Sequence, residues 1–187
     1  MFDVSEAGNA VGRVYLDMHP REGKFKHAAM FPLVPGVRDR RVPAAALVCN
    51  FPSPLDVDGP ALLDHDDVVT FFHEFGHLLH HLFARDHDWV EFSGTGTEWD
   101  FVEVPSQLFE EWAWDPETLA GFAKHVDTGE AIPKDVVKKM RDSSEFGKGV
   151  HLMRQIYYTA YSFYIHDDKN PELLDLEEFT DKMTKGY

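Results

Sequence analysis

Residues 64–83 read Asp64-His65-Asp66-Asp67-Val68-Val69-Thr70-Phe71-Phe72-His73-Glu74-Phe75-Gly76-His77-Leu78-Leu79-His80-His81-Leu82-Phe83, and this stretch decides the fold. Its apolar residues recur at helical spacing. Val69, Phe72, Leu79 and Phe83 make one stripe, and Phe71, Phe75, Leu78 and Leu82 make a second on another side. A helix apolar on two sides is expected at the centre of a fold rather than on its surface. Asp64 is a suitable N-cap, and Asp66 and Asp67 put negative charge in the first turn, where the helix dipole favours it. Gly76 inside the helix costs about 1 kcal/mol relative to alanine, which points to a close backbone approach at that position.

Between the stripes runs a narrow polar strip carrying His73-Glu74-Phe75-Gly76-His77, an HExxH pattern. At about 100° per residue, His73 and His77 lie roughly 40° apart and one turn from each other, so their ring nitrogens can meet on one ion. Glu74 sits about 100° round from His73, beside such an ion without ligating it, which suits a general base acting on water. A random shuffle of this composition would give about 0.05 such patterns, so the helical context carries much of the weight. The pattern therefore predicts one zinc ion with His73 and His77 as ligands and Glu74 as the catalytic base.

A third ligand has to come from elsewhere, and Glu103 is the best candidate. It stands in Trp99-Asp100-Phe101-Val102-Glu103-Val104-Pro105-Ser106-Gln107, among apolar neighbours, where a buried carboxylate needs a cation or a donor. Pro105 belongs in the first turn of a helix, which places Glu103 near that helix's start. Two histidines and a carboxylate leave the fourth zinc position to water. Glu98, Glu110 and Glu111 are rivals that read as solvated residues. His80 shares the ligand face and reads equally as a supporting hydrogen-bond partner or as a satisfied core histidine.

Outward from this helix the chain changes character near residue 60. Before it come three β-prone runs, Val11 to Met18, His27 to Phe31 and Ala45 to Phe51, separated by Pro20, Gly23 and Pro35-Gly36. In the first, Val14 and Leu16 alternate with Arg13, Tyr15 and Asp17 and predict one buried face. The simplest assembly is a small antiparallel sheet. After residue 60 the pattern is helical: Asp115-Pro116-Glu117 and Asp175-Leu176-Glu177-Glu178 are helix starts. Leu152, Ile156, Phe163 and the tyrosines 157, 158, 161 and 164 predict a largely buried helix. The expected class is α+β, predominantly helical, as one region over 1–187 with sheet in 1–60 and helices in 61–187.

The 187 residues include 33 acidic and 18 basic, a formal charge of −15. That excess disfavours nucleic acid and anionic membranes as partners, since both would be repelled. No signal peptide and no bilayer-spanning apolar run is visible. The single cysteine, Cys49, excludes an internal disulfide framework, suits a reducing compartment and reads as a small core residue. A soluble cytoplasmic protein is the expectation.

With these residues assembled, the sequence resembles the thimet oligopeptidase, neurolysin and oligopeptidase A family. The resemblance rests on His73 to His77, on Phe101 to Gln107 with Glu110-Glu111-Trp112, on Leu16 to Lys24, on His27-Ala28-Ala29, and on Ser93-Gly94-Thr95. It implies a zincin-like catalytic core with His73, His77 and Glu103 as metal ligands and Glu74 as catalytic glutamate. It also implies zinc-dependent hydrolysis of short peptides in the cytoplasm. Family members are several times longer, so the resemblance makes this chain a catalytic-core region, and the groups that support the oxyanion there would fall beyond Tyr187. Two further readings stand beside the peptidase: a zinc-binding chain without turnover, and an acidic interaction module drawing on net charge alone. A peptide is expected along the sheet edge near Ala28 and Ala29.

Overall fold

Ala7 and Gly8 both have positive φ, 48° and 84°, and close a two-residue hairpin between Phe2–Glu6 (β1) and Asn9–Asp17 (β2). Such a turn matches the right-handed twist of the strands it joins. The computed structural model describes residues 1–55, 58–168 and 170–186. Two more strands, Ala29–Val34 (β3) and Ala44–Val48 (β4), complete a four-stranded sheet of order β1-β2-β4-β3.

The sheet departs from the expected antiparallel three-stranded one in two respects. It has a fourth strand, β1, and its central pair β2 and β4 is parallel, with Leu16 opposite Leu47, while the outer pairs are antiparallel. Pro32 explains the order. It offers no N–H to a ladder, so β3 is confined to an edge. The alternately buried β4, with Ala45 and Leu47 fully covered, takes the place between β2 and β3. Gly12 and Val14 of β2 are buried on either side of exposed Arg13, as an alternating face requires, and Val11 is buried at the register shift opposite Val4 and Ser5. Leu16, expected on that buried face, is exposed.

The chain divides into two compact units, Met1–Pro133 and Lys134–Tyr187. In the first, His65–Phe83 (α1) lies on the sheet. Leu78 and Leu82 join Val11, Val14, Ala45, Leu47, Cys49 and Phe51 in one apolar core, with Phe71, Phe75 and Leu79 packed around it. Asp64 is the N-cap, through its backbone carbonyl rather than its side chain. On a second side α1 meets Val104–Glu110 (α2), and the close approach expected at Gly76 is there. A Cβ on Gly76 would stand 2.6 Å from Ser106 Cα and 2.8 Å from the Pro105 carbonyl oxygen. Asp115 caps Pro116–Phe122 (α3) by accepting the Thr118 N–H at 2.7 Å.

The second unit holds Lys134–Ser144 (α4), Lys148–Asp167 (α5) and Leu176–Gly186 (α6), the last capped by Asp175. The expectation of a buried tyrosine-rich helix does not hold, because no residue of α5 is buried. Tyr161 stacks edge-on with Phe179 of α6 and shares a 3.0 Å hydrogen bond with Thr180. Contact with α6 covers only part of α5, and Leu152, Ile156, Phe163 and Tyr164 stay exposed. Periodicity reports what a helix can bury, not whether something lies against it. No helix among the described residues is long and apolar enough to cross a membrane.

Candidate metal centre

The middle of α1 and the start of α2 bring the expected ligands together. Glu103 occupies the N-cap position of α2 and Pro105 its first turn, as the sequence required. Glu103 Oε2 lies 3.3 Å from His73 Nε2 and 3.1 Å from His77 Nε2. The two imidazoles are edge-on, centroids 4.9 Å apart. One ligand atom from each of the three residues falls within 4.8 Å of the others, a group that could hold a metal ion. Glu103 is not the buried carboxylate expected from its neighbours; its side chain is 48% exposed. Its partners, not burial, single it out.

Two residues that read as unremarkable in the sequence hold these ligands in place. Glu110, expected to be solvated, is partly buried, and its Oε1 lies 2.7 Å from His73 Nδ1. It follows Glu103 by seven residues, so both lie on one face of α2, and that spacing was the available signal. A carboxylate accepts, so His73 Nδ1 donates to Glu110, which leaves Nε2 as the ring atom that faces Glu103 and that a metal would take. Ser106, fully buried, donates from Oγ to Glu103 Oε2 at 2.8 Å and to the Glu103 carbonyl at 3.0 Å. Burial opposes ionisation of Glu103, but the Ser106 hydroxyl and the adjacent His77 and His73 outweigh it and hold its carboxyl below the usual glutamate range.

Two imidazole nitrogens and a carboxylate oxygen converging at about 3 Å need a shared proton or another positive charge among them. A metal ion supplies that charge, so the residues present fit one. Glu74 stands apart from the three. Its Oε2 accepts the backbone N–H of Met30, on edge strand β3, at 2.7 Å. It is thus held by the sheet instead of turning in to join the cluster. His80 is not one of the three converging residues either. Its Nδ1 is buried with no hydrogen-bond partner among the described residues, its ring lies edge-on to Phe101, and burial, then His77 and His81, lowers its pKa.

With that geometry in hand, the similarities of the chain are specific. Residues 1–187 match peptidase family M3. Thimet-like oligopeptidase of Dictyostelium discoideum is 40% identical over 170 residues, 88% of this chain and 25% of that protein. Saccharolysin of Saccharomyces cerevisiae is 37% identical over 179 residues, 93% and 25% of the two chains. Oligopeptidase A of Salmonella typhimurium is 38% identical over 180 residues, 91% and 26%. The chain therefore spans about a quarter of the length of the curated relatives it matches.

Proposed function

This chain belongs to peptidase family M3, and from that premise we propose that it carries the zinc-binding, catalytic part of a zincin-like metallo-oligopeptidase that hydrolyses short peptides. The observation that carries the reading is the convergence of His73 Nε2, His77 Nε2 and Glu103 Oε2, with Glu74 fixed beside them. His73, His77 and Glu103 would hold one zinc ion. Bound there, zinc polarises a scissile carbonyl and lowers the pKa of water toward about 7.

The protein's own groups do the rest. Glu110 fixes the His73 tautomer, and Ser106 orients the Glu103 carboxylate. Glu74 Oε2 is engaged by Met30 N–H, which orients the carboxylate for a proton passing from the attacking water to the leaving amine. The free side of β3 offers an extended peptide a strand to pair with, starting near Ala28 and Ala29. The family's length and its oligopeptidase relatives favour short substrates over folded proteins. The single reduced cysteine keeps the cytoplasm as the proposed compartment.

The test is cleavage of a short internally quenched peptide by the wild-type chain and by Glu74→Gln, with zinc content measured on both. Turnover in the wild type that vanishes in the variant, at equal zinc, is the expected result. Equal turnover in both would remove Glu74 as the base. Zinc bound with no turnover in either would favour the metal-binding chain without catalysis.

A further inference from the structure

His81 occupies a core position, 1% exposed, where a leucine would pack with no polar atom to satisfy. Its Nε2 lies 3.0 Å from the carbonyl oxygen of Val34, the last residue of β3. A carbonyl only accepts, so Nε2 carries the proton. Nδ1 is then a buried lone pair that no donor reaches among the described residues. Gly94 makes room for the ring: with φ at 69°, it passes so close that a Cβ there would fall 2.3 Å from His81 Nδ1. Burying an unpaired nitrogen is unfavourable compared with an apolar side chain of similar size. What the imidazole provides in return is its bond to the backbone of β3.

That bond has a counterpart at the other end of the strand. Glu74 Oε2 accepts the Met30 N–H, so α1 grips β3 through a side-chain acceptor at Met30 and a side-chain donor at Val34. Glu74 and His81 are seven residues apart, which puts them about 20° apart round the helix and about 10 Å apart along it. Met30 and Val34 are four residues apart, about 13 Å in a regular strand, and the register shift between Pro32 and Val34 takes up slack. The two spacings fit. Pro32, between them, has no N–H with which to hold the strand.

We propose that His81 is a positioning residue: its bond to the Val34 carbonyl fixes β3 against α1 in the one register that brings Met30 N–H to Glu74. Its consequence for turnover rests on the peptidase reading above, whereas the register itself does not. His81→Leu removes the donor and fills the space; His81→Gln keeps an N–H at a reach similar to that of Nε2. Amide exchange followed by NMR on the metal-free chain reads the register directly. Protection of the Met30 amide should fall by about ten-fold or more in the leucine variant, with Leu47 and Leu78 unchanged, and return in the glutamine variant. Unchanged Met30 protection in His81→Leu overturns the proposal, as does a glutamine variant no better than leucine. If His81→Leu does not fold, His81→Met, equally without a donor and more pliant, replaces it. With zinc present, KM for a quenched peptide should rise several-fold in the leucine variant at unchanged zinc stoichiometry and recover with glutamine. A wild type that neither binds zinc nor cleaves would sink the peptidase reading and leave the exchange comparison standing.

Discussion

Glu110 decides which nitrogen of His73 faces Glu103, and it does so from a neighbouring helix. Removing it frees the imidazole to rotate and to change tautomer. Glu110→Ala should therefore weaken zinc binding about 10- to 100-fold without abolishing it, as read by competition with a chelator. His77→Ala and Glu103→Ala each remove a proposed ligand and should leave the chain without stoichiometric zinc; retained stoichiometry would show the wrong ligands had been chosen. Cys49 is a contrast. Burial first, then the Glu74 carboxylate, push its thiol up to about 12. The thiolate is the reactive form, so Cys49 should resist a thiol reagent at neutral pH until the protein is unfolded.

The contact of α1 with α2 depends on Gly76 having no side chain. Alanine there gains about 1 kcal/mol of helix propensity. Its methyl, however, would meet backbone atoms of Pro105 and Ser106 that cannot rotate away. We expect Gly76→Ala to be destabilising by about 1–3 kcal/mol in thermal unfolding, with weaker zinc binding because Glu103 and Glu110 move with α2. The segment between β2 and β3 is held differently. Lys24 Nζ, almost fully buried, donates to the carbonyls of Asp17, His19 and Cys49 and pairs with Asp17. The Arg21 hydrogen bond first, with Lys24 adding and burial opposing, holds the Asp17 carboxyl below its ordinary range. A carboxyl depressed by folding stabilises above its unfolded pKa and loses that contribution as pH falls through its folded one. Melting temperature should therefore decline on acidification through the carboxylate range, and Asp17→Asn should flatten part of that decline.

Across the molecule, burial is concentrated in the first unit. The apolar core of β2, β4 and α1 is continuous, while α5 in the second unit has no buried residue. Amides in α1 and β4 should exchange only through global opening, and those of α5 through local opening, orders of magnitude faster. Comparable protection in α5 and β4 would show that α5 is covered in solution. Exposed ion pairs such as Arg13–Asp3 and Lys138–Asp142 contribute little individually.

The helix over 65–83, its start after Asp64, the pairing of His73 with His77 and the tight approach at Gly76 were legible in the chain, because each follows from the turn of a helix and local chemistry. Glu103 was legible too, though for a reason the structure does not support, since it is half exposed rather than buried. The parallel pairing of β2 with β4, the role of Glu110, the hold of Met30 on Glu74 and the burial of His81 were not. Each depends on which backbone or side-chain group arrives from a distant part of the chain, and only for Glu110 did a spacing, seven residues from Glu103, point to it. The open face of α5 belongs with them: a sequence states which side chains are apolar, and only packing determines which of them leave water.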